Sequence, residues 1–228
     1  MKKILVIAII MIASVNLMNA QISFGVKAGL NLANVSGIPS ANESFAGFTV
    51  SSSTSMAIGF HLGGICNIPL SDNFAISPEL LYSTGGFKET ITESGSFLGV
   101  SINQSASDNV SLGYIQIPIL AKYSLDKDGG FNFSAGPYIG ILVSASDSAG
   151  SVSSSCNTID IGLAFGVGYQ LGSGLGFGVR YNLGLTDIFK SYTTTDTSTG
   201  VPISVTQPGY GKNGVIAISV SYMFGMGK

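Results

Sequence analysis

Lys27, His61, Glu79 and Arg180 are the side chains of this sequence whose types and positions suit them to act together. A carboxylate set between an ammonium and a guanidinium forms charge-assisted hydrogen bonds, roughly twice as strong as neutral ones. A histidine at similar depth adds a group that titrates near neutral pH. Two chemistries follow. In the first, Glu79 accepts hydrogen bonds from Lys27 and Arg180, and burial of the charges is tolerated because they are paired. In the second, the four groups relay protons or ions through an enclosed space.

For residues so far apart in sequence to meet, a repeating framework has to carry them, and side-chain alternation supplies one. Ile22, Phe24, Val26, Ala28, Leu30 and Leu32 fall on one face of an extended segment, with Ser23, Gly25, Lys27, Gly29 and Asn31 on the other. A period of two reads as a strand. It returns at about 56–68, 74–86, 110–123, 131–143, 158–171, 175–187 and 213–224. These eight runs of about 11 to 15 residues are longer than ordinary globular strands. They are long enough to cross a bilayer, which takes about 9 to 11 residues in a strand.

The connections alternate as well. Segments 69–73, 124–130 and 172–174 are short and carry the Pro, Gly, Asp and Asn of tight turns. Segments 33–55, 87–109, 144–157 and 190–212 are long and rich in Ser, Thr, Gly and Asn. Short turns on one rim, long loops on the other and an even strand count are the pattern of outer-membrane barrels. Counted from the short-turn rim, Lys27, Glu79 and Arg180 each lie about five residues up their strands and His61 about seven. The expected fold is therefore all-β, an eight-stranded antiparallel up-and-down transmembrane β-barrel with four long extracellular loops.

Composition agrees. Only 10% of the residues are charged, against about 25% in a soluble domain, so a soluble barrel with a charged outer coat is disfavoured. Lys27, Glu79, Lys122, Asp160 and Arg180 all occupy the non-apolar phase of their strands, as does His61. A charge on the lipid side costs about 2 to 4 kcal/mol near the midplane, so the apolar phase is the one that meets acyl chains. The abundance of Gly suits a narrow lumen. Tyr138, Leu142, Leu120, Leu81 and Met223 share the inward phase and are expected to plug it. Phe24, Phe74, Tyr123, Phe131, Tyr169, Phe177, Tyr222 and Phe224 gather near the short-turn rim on the outward phase, as an interfacial girdle does. Pro118 and Pro137 within strands point to bulges or local breaks in the ladder.

Residues 1–20 read as a cleaved signal peptide: Lys2 and Lys3, an apolar run from Ile4 to Ala13, and Asn19-Ala20 before Gln21. Residues 21–228 are then one outer-membrane β-barrel domain. Its 8 Lys and Arg against 12 Asp and Glu give a mature charge of -4, and without a basic cluster nucleic acid is excluded as a partner. Cys66 and Cys156 fall at opposite rims, hence free thiols, and their spacing makes no zinc site. The glycine-rich stretches 162–168 and 172–178 lack the Lys-Ser/Thr of a phosphate loop, so no cofactor is expected. A serine hydrolase would need a serine beside the sole histidine and a pocket for substrate. A plugged lumen offers none, and the chain reads as a non-enzyme without catalytic or metal residues.

The segments Gln21–Leu32, Tyr114–Tyr123, Ser134–Gly140 and Arg180–Leu185 resemble the PorT-like outer-membrane β-barrel proteins of Bacteroidetes-type bacteria. The resemblance spans nearly all of the mature chain. It implies an integral outer-membrane barrel without assigning an activity. Asp147-Ser148-Ala149 also looks like the short O-glycosylation acceptor of those bacteria. The expected role is a structural or surface-display scaffold whose loops 33–55, 87–109, 144–157 and 190–212 contact an envelope protein or extracellular ligand. A small porin-like channel or transporter is the alternative. Outer-membrane lipid and the barrel-assembly machinery are the expected partners of a monomeric chain.

Overall fold

A strand whose alternate residues are apolar and small or polar has two unlike faces, and β8 (Ile159–Gln170) shows what the chain does with them. Ile159, Ile161, Leu163, Phe165, Val167 and Tyr169 are exposed, whereas Asp160, Gly162, Ala164 and Gln170 are buried. Apolar outside and polar inside is the reverse of a water-soluble barrel, and lipid is the solvent that stabilises it. The computed structural model describes residues 22–38, 42–45, 48–97, 100–126, 129–196 and 203–225. The expected signal peptide lies outside the described residues.

Eight strands make the wall: β1 (Ser23–Ser36), β3 (Phe48–Pro69), β4 (Phe74–Phe97), β5 (Val100–Ser124), β6 (Gly130–Asp147), β8, β9 (Leu175–Gly184) and β12 (Lys212–Met223). Each pairs antiparallel with the next, and β12 closes on β1 through a continuous register from Gly25↔Met223 to Ser36↔Lys212. Closure satisfies every edge, a requirement where no water is present to do so. The eight-stranded up-and-down barrel is thus the observed fold. The eight aromatics expected near the short-turn rim all face outward and are exposed.

The short turns fall where expected: Leu70 N–H donates to the Phe74 carbonyl at 2.8 Å, and Gly174 N–H to the Leu171 carbonyl at 2.9 Å. The long connections differ from the expectation of irregular loops. β4 and β5 run on with a register that continues to Phe97↔Val100, through most of 87–109, and β3 stays paired with β4 from Phe48↔Gly95 to Met56↔Phe87, so the extension is part of a wider sheet. Segment 33–55 is mostly the end of β1, a short β2 (Asn42–Phe45) and the start of β3, with β2 paired to β3. In 144–157 the chain finishes β6, forms β7 (Gly150–Ser151) and makes a single 3-10 turn at Ser153–Ser155. In 190–212 it folds β10 (Tyr192–Asp196) against β11 (Ile203–Gln207). These ribbons are held by ladder bonds and hydroxyl pairs such as Thr90–Ser107 at 3.0 Å and Thr193–Thr206 at 2.9 Å. Neither face needs burial, so apolar alternation is absent and the sequence reads as loop.

Of the two expectations for the prolines, the register removes the bulge and keeps the local break. Pro118 pairs with Tyr138 and Pro137 with Leu163, and the register on either side is unchanged, so they interrupt ladder bonding without a bulge. The register shifts instead lie between Met56 and His61 on β3 and at Gly113/Tyr114 on β5. Gly86, across from the first shift, has φ +135°, where a side chain would be strained.

Inside, Leu120, Tyr138 and Ala164 pack together, with Leu81 also buried. A Cβ at Gly162 would sit 2.4 Å from the Tyr138 ring, so glycine there is what lets the ring lie against the wall. At the long-loop rim a second apolar cluster of Val35, Phe87, Leu112, Tyr114, Ala145, Cys156 and Ile188 caps the barrel.

Candidate functional site

β1, β4 and β9 carry the three charges to one level. Arg180 Nη1 donates to Glu79 Oε2 at 2.6 Å, and Lys27 Nζ donates to Glu79 Oε1. The Glu79 side chain is 3% exposed, Arg180 7% and Lys27 16%, so little water replaces these bonds if one is lost. Alternation explains the inward direction of each side chain, and the register around the closed ring explains why they share a depth. Lys122 on β5 lines the same space and makes no ion pair among the described residues.

His61 is buried in the lumen but belongs to a different set of partners. Its Nδ1 is 2.8 Å from Asn31 Oδ1 and its Nε2 3.0 Å from Ser219 Oγ. Asn31 Nδ2 donates to the carbonyls of Phe60 and Thr84, at 3.1 and 2.7 Å, and to Ser83 Oγ at 3.0 Å. Carbonyl oxygens only accept, so these contacts fix which end of the amide faces the ring. His61 therefore carries its proton on Nδ1, and Nε2 accepts from the Ser219 hydroxyl. The separation from Glu79 follows from the register: Glu79 pairs with Ile65, four residues further down β3. Lys27 pairs with Gly63, two residues from His61, so the imidazole stays within electrostatic reach of the three charges while its hydrogen bonds go to Asn31 and Ser219.

A third polar group was not singled out from the sequence. Asp160 Oδ2 accepts from Tyr138 O–H at 3.1 Å and from Asn213 Nδ2 at 2.9 Å, while its Oδ1 accepts from Thr186 Oγ1 at 3.0 Å. Asn213 also reaches the Tyr114 hydroxyl at 3.4 Å. These side chains come from β5, β6, β8, β12 and the segment after β9, so the group ties opposite parts of the wall together. The inward phase was the available signal. Their common depth was not readable without the register.

Two spaces are left on the short-turn side: an inner cavity of about 90 Å³ beside the Glu79 cluster, and a vestibule of about 650 Å³ at the rim. At the opposite end a hollow of about 530 Å³ is lined by Phe87, Phe189, Tyr192 and Tyr210 together with Glu89 and Asp147. Phe189 stacks on Tyr210 with ring centroids 4.9 Å apart. Burial, with Tyr192 and Glu89 close by, pushes the Tyr210 hydroxyl above the usual phenol range, so it stays a neutral donor.

The sequence pattern of the outer membrane protein β-barrel domain matches residues 16–190. The chain is similar to the crystal structure of Neisserial surface protein A at 17% identity, with 88% of this chain and 97% of that one covered and a TM-score of 0.48. It is similar to Outer Membrane Protein W of E. coli at 17% identity, with 91% and 100% covered and a TM-score of 0.33. No curated protein is similar to it by sequence.

Proposed function

The chain belongs to the outer membrane protein β-barrel domain family, and from that premise we propose that it is a closed scaffold whose work is done by the part standing outside the membrane. The observation that carries this reading is the filling of the lumen. Leu81, Leu120 and Tyr138 are each at most 3% exposed, and the bonds of Tyr138 and Asn213 to Asp160 cross the barrel above them. The apolar cap lies beyond. Eight strands enclose only enough space for side chains, whereas open aqueous channels need about 16 to 18.

Above the cap the β4–β5 ribbon and the β10–β11 hairpin present backbone ladders and hydroxyls to solvent, and the aromatic hollow beside Glu89 and Asp147 gives them a concave contact surface. An envelope protein or extracellular ligand binds there. In this reading the chain is PorT-like, exported by removal of residues 1–20, folded by the barrel-assembly machinery, monomeric and without enzymatic activity. Ser148, exposed in the turn that Asp147 Oδ1 closes by accepting from Ala149 and Gly150 N–H, is the position for a glycan.

Planar-bilayer recording tests the scaffold against the channel. The pure barrel gives no stable porin-sized conductance. Reproducible steps that vanish in Arg180→Gln would establish the channel instead.

A further inference from the structure

The inner cavity holds more positive charge than its lining balances. Lys27, Lys122 and Arg180 all line it, and Glu79 is the one carboxylate among the described residues that does. Asp160 is committed to Tyr138, Asn213 and Thr186, and Asp72 and Asp126 line the outer vestibule. Three cations thus face a single carboxylate in this inner cavity, with Lys122 at its mouth toward the vestibule of Asp72 and Asp126.

A second observation is independent of that count. The Nε of Arg180 is buried and has no hydrogen-bond partner, although its Nη1 is bonded to Glu79. Buried charged donors are seldom left unmade, because the full desolvation cost of the group is then uncompensated. The lining also supplies hydroxyl and amide donors from Ser134, Ser221 and Asn132. At about 90 Å³ the cavity has room for more than one water, each of which needs at least about 10–15 Å³. Asn67, Lys122, Gln170 and Met223 line both this cavity and the vestibule, so it opens toward the short-turn rim and is closed above by Leu120.

We propose that the cavity is a binding site for a small oxyanion of phosphate size, reached from the periplasmic side. The Lys122 ammonium holds the anion, the Arg180 guanidinium turns about its bond to Glu79 to bring onto it the Nε–H that is otherwise closed off from the cavity, and Lys27 contributes its charge while bonded to Glu79. Glu79 keeps the guanidinium and Lys27 apart and in place. The site is independent of any partner at the outer face, so it stands or falls separately from the scaffold reading.

Arg180 is the chain's one arginine, which makes a direct test available. The full barrel labelled with ¹⁵N-arginine, in zwitterionic detergent micelles, gives one Nε–H cross-peak. Inorganic phosphate added at constant ionic strength moves that peak along a saturating curve, and chloride alone does not. In Lys122→Met, shown to be folded by its heat-modifiable gel migration, half-saturation rises about tenfold or more, as expected when one charged contact is lost. A peak that stays still, drifts linearly with any salt, or saturates with chloride and not with phosphate overturns the proposal. So does a Lys122→Met barrel that binds phosphate as the parent does.

Discussion

Replacing Glu79 by Gln keeps the shape of the side chain and removes the charge that Lys27 and Arg180 share. Arg180 is 7% and Glu79 3% exposed at the side chain, so only water in the small cavity beside them can stand in for the lost acceptor. Removing one partner of a buried pair costs about 3 to 5 kcal/mol, most of it from the charge left behind. Lys27→Met leaves the 2.6 Å Arg180–Glu79 bond intact, and should cost less, about 1.5 to 3 kcal/mol for one hydrogen bond to a charged group. The double variant should then show a coupling of about 0.5 to 3 kcal/mol. Urea unfolding in lipid vesicles measures all three, followed by tyrosine fluorescence because the chain has nine Tyr and no Trp. A loss below about 1 kcal/mol for Glu79→Gln, outside the range for a broken buried pair, would refute the reasoning. It would mean the lumen is wet enough at this level to solvate a guanidinium.

Two further outcomes are expected. Val167, half-exposed on the outward face of β8, should cost about 2 to 4 kcal/mol when changed to Arg in a bilayer; Asn103→Arg on the exposed β4–β5 ribbon should change stability by less than about 0.5 kcal/mol. Equal effects would show that the outward face of β8 is not in lipid. For topology, a membrane-impermeant maleimide on intact cells should label Ser105→Cys but neither Ser71→Cys nor the native Cys156. Cys156 is 1% exposed, and burial pushes its thiol up against the smaller opposing pull of Lys190, so thiolate is scarce at neutral pH. Labelling at position 71 instead would invert the barrel.

The alternation of side chains carried a large part of this protein. A period of two assigns every strand residue to one of two faces, and Lys27, Glu79, Lys122, Asp160 and Arg180 share one phase, with Asp187 at the loop end of its run the exception, so lumen and lipid sides are legible without coordinates. Turn chemistry placed the short rim, and inward phase with similar depth brought Lys27, Glu79 and Arg180 toward one another. Depth is where sequence reasoning ended. His61, expected beside the ions, bonds Asn31 and Ser219, because height in a closed barrel depends on the stagger accumulated from strand to strand, a property of the whole ring and of no single run. The same holds for Asp160, whose partners on β6, β12 and the segment after β9 are set by that stagger. The outer ribbons escaped notice for a different reason. Thr90, Thr92, Ser105 and Ser107 pair across strands that bury neither face, so backbone bonding makes the structure while the hydropathy pattern that would announce it is missing. Sequence decided which solvent each side chain meets, and the closure of the sheet decided which side chains meet one another.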